Sequence, residues 1–210
     1  MAAYIFDMDG VMIDSELHWI HDEKALLKKW IPSWNDDDHR GILGLSMQDI
    51  HRRLVERYGF TMNQEGFLEA IEVIALKIYG EYADLLEGFY ELLSTLKKRQ
   101  YAIGLASSSR RHWIQMILDR FELHPFFDAV VSYEDIQAFA QGKPHPDIYL
   151  HAAKLLNVDP AECIVFEDAQ NGVRAGKAAG MAVIGLRNGF NDHQDLSEAD
   201  FVLEDSINMN

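Results

Sequence analysis

The sequence predicts an α/β fold: a Rossmann-like parallel sheet flanked by helices, with an α-helical cap domain inserted after the first strand. Six short apolar segments have the length of buried strands, and they lie at residues 4–8, 101–106, 129–132, 163–166, 182–186 and 201–203. From residue 86 onward the strands alternate with helical patterns near 88–99, 110–121, 145–156 and 170–179. Such alternation is typical of crossover units, which build a parallel sheet with helices on both faces.

Residues 14–85 interrupt this alternation, because they carry no strand pattern. Three groups of apolar residues instead recur at helical spacing, represented by Trp19 and Leu27, by Ile50 and Leu54, and by Phe67 and Ile71. We therefore predict a core domain made of residues 1–13 and 86–210, and a helical cap domain made of residues 14–85.

Composition and charge limit the classes of function. The chain has 210 residues, of which 48% are apolar and 25% charged, as in ordinary globular proteins. Its net charge of −15 would repel nucleic acids and anionic membranes, so neither is an expected partner. The N-terminal apolar run is too short for a signal peptide, and a single cysteine, Cys163, excludes a disulfide framework. We expect a cytoplasmic protein and a monomer.

The segment Asp7-Met8-Asp9-Gly10 directly follows the first predicted strand. Carboxylates at the end of a core strand are costly unless a cation meets them there. Mg²⁺ is the obvious cation, because it prefers oxygen ligands and commonly binds together with a phosphate. A polar strand end that runs into a turn is the alternative, and this motif alone does not decide between the two.

Polar residues also follow the other central strands. Ser107, Ser108, Ser109 and Arg110 follow the second strand, Lys143 lies beyond the third, and Glu167 and Asp168 follow the fourth. In open parallel sheets, ligands bind outside the carboxyl ends of the strands. Each residue has an ordinary alternative role, such as a helix cap for Ser109 or Asp168 and a surface position for Lys143. Their joint occurrence at one edge favours a functional site.

This set of residues suits phosphoryl transfer, which requires positioning and neutralisation of phosphoryl charge. Asp7 and Asp168 could hold a metal, while Lys143 would add a positive charge and Ser107 a hydroxyl donor. A carboxylate in line with the phosphorus can act as the nucleophile. The second carboxylate, Asp9, can protonate the leaving oxygen and later activate water.

These motifs, together with Phe166-Glu167-Asp168-Ala169, resemble the four motifs of the haloacid dehalogenase superfamily. More narrowly, the chain resembles the β-phosphoglucomutase-like phosphatases, whose helical cap follows the first motif. The resemblance implies that Asp7 is the nucleophile and a Mg²⁺ ligand. It implies that Asp9 is the general acid/base and gives a backbone carbonyl to the metal. The presence of Asp9 argues against dehalogenation, whose enzymes lack this second aspartate.

The resemblance also assigns the remaining site residues. Ser107 and Lys143 would hold the transferring phosphoryl group. Asp168 would bind the metal, and Glu167 would be a further ligand or a carboxylate beside the ligands.

The candidate substrate-binding residues are Ser15, Met47, Ser108, Ser109 and Arg110. Ser109-Arg110 lies where the mutase pattern has a Ser-Lys pair, so Arg110 could bind a second anionic group or could simply face water. Met47 lies where β-phosphoglucomutase has an arginine. A mutase must hold a bisphosphorylated intermediate by either phosphate. Because Met47 stands in place of that arginine, one cation for the second phosphate is missing, which puts mutase activity in doubt.

We therefore predict a Mg²⁺-dependent phosphatase that hydrolyses a small phosphorylated metabolite, expected to be a sugar phosphate, through an aspartyl-phosphate intermediate. A mutase of the β-phosphoglucomutase type is the nearest alternative. A non-enzymatic binding or regulatory protein is a third possibility, although a binder has no need of both Asp7 and Asp9. A receiver-like phosphorylation switch would not explain the long helical insertion.

Overall fold

A computed structural model describes residues 2–136 and 141–204 and shows one six-stranded parallel sheet. The strands are β1 (Ala3–Phe6), β2 (Ala102–Ser107), β3 (Ala129–Ser132), β4 (Cys163–Glu167), β5 (Ala182–Leu186) and β6 (Phe201–Leu203). Their order across the sheet is β3-β2-β1-β4-β5-β6, and every neighbouring pair is parallel. The predicted fold class is confirmed.

From α5 to β5, at least one helix lies between each pair of successive strands, as the pattern predicts. They are α1 (Ser15–Trp30), α2 (Asp36–Arg40), α3 (Met47–Tyr58), α4 (Gln64–Lys77), α5 (Phe89–Lys98), α6 (Arg111–Arg120), α7 (Tyr133–Ile136), α8 (Asp147–Leu156) and α9 (Gln170–Ala178). A π-helical turn, Ile78–Tyr82, continues α4. None of the helices in the described ranges is long and apolar enough to cross a membrane.

The central strands align their carboxyl ends. Phe6 of β1 is in register with Leu105 of β2 on one side and with Phe166 of β4 on the other. Both faces of a central parallel strand are covered, which is why β1 is continuously apolar. The segments that follow Phe6, Leu105 and Phe166 therefore leave the sheet next to one another.

The first strand ends earlier than its apolar run suggests. We expected residues 4–8, but β1 stops at Phe6. The carbonyl of Met8 accepts hydrogen bonds from the backbone N–H groups of Met12 and Ile13, at 2.9 and 3.2 Å. Met8 therefore belongs to a tight turn, and both Asp7 and Asp9 project from this turn rather than from the strand.

The four helices α1–α4 form an insertion between β1 and α5. Two short connectors join the insertion to the sheet, and they run antiparallel to one another. Ile13 forms a β-bridge with Leu85. The N–H of Asp14 donates to the carbonyl of Asp84 at 3.0 Å, and the N–H of Leu86 donates to the carbonyl of Met12 at 3.0 Å.

The insertion packs on one face of the sheet through a single apolar cluster. Trp19 of α1, Phe67 of α4 and Tyr79 belong to the same buried cluster as Phe6 of β1 and Phe89 of α5. Burial of large aromatic side chains is a major source of stability. The insertion is thereby held over the carboxyl ends of β1 and β2.

Candidate active site

Asp7, Lys143 and Glu167 form a buried ion-pair cluster at the carboxyl ends of β1 and β4. The Lys143 ammonium lies 2.7 Å from Asp7 Oδ1 and 2.5 Å from Glu167 Oε1. The Tyr149 hydroxyl of α8 donates to the same Glu167 oxygen at 2.5 Å. The other oxygen, Glu167 Oε2, accepts from the N–H groups of Asp168 and Ala169. Glu167 is thus saturated with hydrogen bonds and positions Lys143 beside Asp7.

Asp168, the residue after β4, lies close to Asp7, and Asn188 holds its carboxylate in place. The Asn188 side-chain amide donates to Asp168 Oδ2 at 3.0 Å and to the Gly10 carbonyl at 2.9 Å. Gly10 has φ +73°, and a Cβ there would lie 2.0 Å from Asp168 Oδ2. Glycine at position 10 therefore meets two requirements, because it adopts the left-handed conformation and leaves room for the Asp168 carboxylate.

Asp7, Glu167 and Asp168 each offer a carboxylate oxygen, and these three oxygens lie within 4.8 Å of one another. All three residues are buried, while Lys143 supplies one positive charge to the group. Burial raises the pKa of Asp7 to about 8, although Lys143 acts in the opposite direction. Burial also raises the pKa of Asp168, and the nearby carboxylates of Glu16 and Glu167 raise it further. Such a carboxylate-rich donor set fits a hard divalent cation, which would stabilise the ionised forms.

The Asp9 carboxylate is directed away from this cluster and towards hydroxyl groups. Ser15 donates to Asp9 Oδ1 at 2.5 Å, Tyr79 donates to the same oxygen at 2.9 Å, and Ser109 donates to Asp9 Oδ2 at 2.8 Å. Trp19 Nε1 in turn donates to the Tyr79 hydroxyl at 3.1 Å. Burial raises the pKa of Asp9, even though the three hydroxyls lower it. This carboxyl can therefore retain a proton at a higher pH than an ordinary aspartate.

The serines that follow β2 connect the sheet to the insertion. Ser107 is buried, and its hydroxyl accepts a hydrogen bond from the Ser109 N–H at 3.0 Å. Ser108 donates to the Gly44 carbonyl in the insertion at 3.0 Å. Asn171, at the start of α9, likewise donates to the Leu43 carbonyl at 2.9 Å.

Residues of the sheet domain and of the insertion line a small cavity of about 60 Å³. Asp7, Asp9, Asp168 and the three serines 107–109 line its floor, and residues of the insertion form its roof. A buried water needs about 10–15 Å³, so the cavity has room for several waters or for a small bound group. Residues of the insertion therefore cover part of the site without sealing it.

The structure does not bring Arg110 into this cavity. Its guanidinium pairs with Glu72 of α4 at 3.2 Å and with Glu134 of α7 at 3.4 Å, and it lies over the Trp113 ring. Met47 does line the roof of the cavity. Ser15 is fully buried, and its hydroxyl is committed to Asp9. The two positions that the sequence marked for a second anionic group therefore present an apolar side chain and a neutralised arginine.

Several site residues carried no signal in the sequence analysis. Tyr79, Tyr149 and Asn188 reach the site from elements far along the chain, and each supports a predicted residue. Two acidic residues of α1, Glu16 and Glu23, line the cavity. Their spacing of seven residues places them on one face of a helix, and this spacing could have indicated them.

The raised pKa values predict a specific pH dependence for the metal-free protein. Burial raises the pKa of Asp7, Glu16 and Glu23 to about 8, whereas unfolded carboxyls titrate near 4. Between those values the folded state binds more protons, so its stability falls as pH rises. Buried His39, whose pKa is lowered to about 4, has the opposite effect only below about pH 6.5.

We therefore expect the melting temperature in EDTA to fall by several degrees between about pH 6.5 and pH 8. Thermal unfolding at a series of pH values measures this change. Asp7→Asn should reduce the slope, because it removes one of the titrating groups. A melting temperature that rises across this range would contradict the assignment of buried, protonated carboxyls.

Comparisons with known proteins agree with this fold and site. Residues 4–186 match the model of the haloacid dehalogenase-like hydrolase family. A phosphorylated carbohydrates phosphatase of Thermotoga maritima is 30% identical over 95% of this chain and 91% of its own length. A β-phosphoglucomutase of Bacillus subtilis is 34% identical over 100% of this chain and 92% of its own.

The structural comparison gives the same result. The crystal structure of a β-phosphoglucomutase from Clostridium difficile superposes with a TM-score of 0.84 and is 28% identical, covering 100% of this chain and 93% of that one. The chain therefore belongs to the haloacid dehalogenase-like hydrolase family. The family resemblance predicted from the motifs is confirmed.

Proposed function

We propose that this phosphoric monoester hydrolase is a Mg²⁺-dependent phosphatase that removes phosphate from a small sugar phosphate. One observation carries the proposal. The Asp7 carboxylate lies beside the Lys143 ammonium and within 4.8 Å of a carboxylate oxygen of Asp168, and Asp7 and Asp168 line the same cavity. This arrangement presents a nucleophile next to groups that neutralise phosphoryl charge. The Thermotoga relative, named as a phosphatase of phosphorylated carbohydrates, supports this substrate class.

Asp7 is the proposed nucleophile. Its carboxylate oxygen attacks the phosphorus, the ester P–O bond breaks, and an aspartyl-phosphate forms on Asp7. Lys143 and the Ser107 hydroxyl are the groups placed to bind the phosphoryl oxygens, whose charge must be stabilised during transfer. Asp7 and Asp168 would hold Mg²⁺, with Glu167 beside them. Bound Mg²⁺ would neutralise phosphoryl charge and favour the ionised form of Asp7.

Asp9 is the proposed general acid and base. Its protonated carboxyl gives a proton to the leaving oxygen of the sugar. The resulting carboxylate then takes a proton from the water that attacks the aspartyl-phosphate, which releases inorganic phosphate and restores Asp7. Ser15, Tyr79 and Ser109 orient this carboxylate through their hydrogen bonds.

Residues 14–85 are the proposed mobile cap. Residues of the cap line the cavity above Asp7, Asp9 and Asp168, so we expect the cap to open and close as substrate enters and products leave. Closure brings Tyr79 against Asp9 and Gly44 against Ser108, which excludes bulk water from the floor of the site. A cytoplasmic location and a monomeric state stay predictions from the sequence.

A phosphosugar mutase is the second candidate function, and the similarity to β-phosphoglucomutases favours it. A mutase must rebind its bisphosphorylated intermediate in both orientations, which calls for a cation at the far end of the cavity. Met47 lines the roof there, and Arg110 is neutralised by Glu72 and Glu134. These contacts favour the phosphatase.

A phosphate-release screen over sugar monophosphates distinguishes the two functions. We expect release of inorganic phosphate that requires Mg²⁺ and is abolished by EDTA. β-Glucose 1-phosphate with a bisphosphate activator forms the parallel assay. Steady formation of the isomer without phosphate release would assign a mutase, and inertness of all substrates with Mg²⁺ present would reject both enzymes.

A further inference from the structure

Glu23 of α1 is a buried carboxyl group that the proposed chemistry does not use. The residue is 3% exposed and lines the same cavity as Asp7. Its Oε1 atom is buried and has no hydrogen-bond partner among the residues that the structure describes. A buried polar atom without a partner destabilises a protein, so this atom calls for a hydrogen-bond partner from outside the described protein residues.

The surroundings of Glu23 restrict what that partner can be. The roof of the cavity is otherwise mostly apolar, and it includes Ile42, Leu43, Leu45, Met47 and Ile50. Among the described residues, no lysine, arginine or histidine lines the cavity. A second phosphate placed against this roof would find no cation among the lining residues and would enter a cavity that Glu16 also lines.

We propose that Glu23 is a specificity-determining residue that hydrogen-bonds a hydroxyl of the leaving group, and that the enzyme prefers monophosphates with an uncharged, polyhydroxylated leaving group. This inference rests on the proposed phosphatase function and goes further, since it names the part of the substrate that the cap recognises. The unpaired Oε1 accepts the hydroxyl, and the apolar roof packs against the carbon skeleton.

The protonation of Glu23 agrees with a hydroxyl partner. Burial raises its pKa to about 8, so the carboxyl carries a proton at neutral pH. A neutral carboxyl can both donate to and accept from a hydroxyl. Glutamine has nearly the same shape and keeps an acceptor oxygen, whereas leucine fills the space without one.

The test compares Glu23→Leu and Glu23→Gln with the wild-type enzyme. The polyhydroxylated substrates are glucose 6-phosphate, sorbitol 6-phosphate and ribose 5-phosphate, and p-nitrophenyl phosphate is the substrate whose leaving group has no hydroxyl. We expect Glu23→Leu to lower kcat/KM at least about tenfold for the best polyhydroxylated substrate. For p-nitrophenyl phosphate, the kcat/KM of the same variant should stay within about threefold of the wild-type value. Glu23→Gln should retain most of the wild-type kcat/KM on both classes of substrate. Glu56→Leu, an exposed change on cap helix α3, is the matched control and should change neither.

A second measurement uses the wild-type enzyme alone. Glucose 1,6-bisphosphate should have a kcat/KM at least about tenfold below that of glucose 6-phosphate, because the cavity offers no cation for the second phosphate. This measurement does not depend on the folding of any variant. A bisphosphate that is hydrolysed as well as the monophosphate would overturn the proposal.

The remaining outcomes separate the inference from the proposed function. If the wild-type enzyme releases no phosphate from any of these substrates, the phosphatase function itself fails. If the wild-type enzyme is active and Glu23→Leu lowers kcat/KM equally for both classes of substrate, Glu23 has a structural role and the inference is wrong. Equal activity of Glu23→Leu and wild type on polyhydroxylated substrates would likewise reject it.

Discussion

Asp7→Asn should abolish phosphate release while the fold stays intact, with kcat reduced by at least about 10,000-fold. An amide nitrogen or oxygen cannot replace the carboxylate oxygen that attacks phosphorus, and the other site residues cannot supply a nucleophile at the same place. The fold should survive, because Lys143 keeps its ion pair with Glu167 at 2.5 Å. Removing one of several buried carboxylates also relieves repulsion between like charges.

Single-turnover and steady-state phosphate release, together with thermal unfolding, measure these two effects. Asp119→Asn is the matched control, because Asp119 lies at the end of α6 with its side chain 71% exposed. The control should retain full activity. Normal turnover by Asp7→Asn would remove Asp7 from the role of nucleophile.

Lys143→Met should damage both stability and activity. The Lys143 side chain is 1% exposed and forms two ion pairs, so its loss leaves Asp7 and Glu167 buried without their cation. Breaking a buried ion pair by removing one partner typically costs about 3–5 kcal/mol. Turnover should fall about 100- to 1,000-fold, because the phosphoryl oxygens lose a positive charge.

Chemical denaturation in EDTA and in excess Mg²⁺ measures the effect on stability. We expect a smaller loss in Mg²⁺, since the metal would offset part of the missing positive charge. Lys154→Met on α8 is the control, because it makes the same substitution at an exposed lysine. Wild-type turnover by Lys143→Met would show that this ammonium plays no part in phosphoryl transfer.

Local sequence patterns were sufficient to predict the sheet and the residues at its carboxyl edge. The apolar runs predicted all six strands, and a parallel sheet brings the ends of its central strands together. Asp7, Ser107 and Asp168 therefore meet at the same edge. Lys143 lies in a turn rather than at a strand end, and both its place beyond the third strand and the family motif indicated it as a site residue.

The residues that support this edge could not be predicted in the same way. Tyr79 contacts Asp9 across 70 residues, and Asn188 contacts Gly10 across 178 residues. Such contacts depend on how separate elements pack, and no local pattern encodes this packing. For Arg110 the local pattern was misleading, because its position after β2 suggested a contact with substrate. Packing of α4 and α7 instead surrounds it with Glu72 and Glu134.

The two antiparallel connectors have a consequence for how the enzyme works through each cycle. Because Ile13 is bridged to Leu85 and Asp14 is bonded to Asp84, the helices above them are suspended from a pair of coupled strands rather than from two independent tethers. Two bonded connectors restrain relative sliding more than two separate ones would, so we expect the proposed opening of the cap to be a hinge rotation about this bridge. Closure would then restore the 2.9 Å contact between the Tyr79 hydroxyl and Asp9 Oδ1.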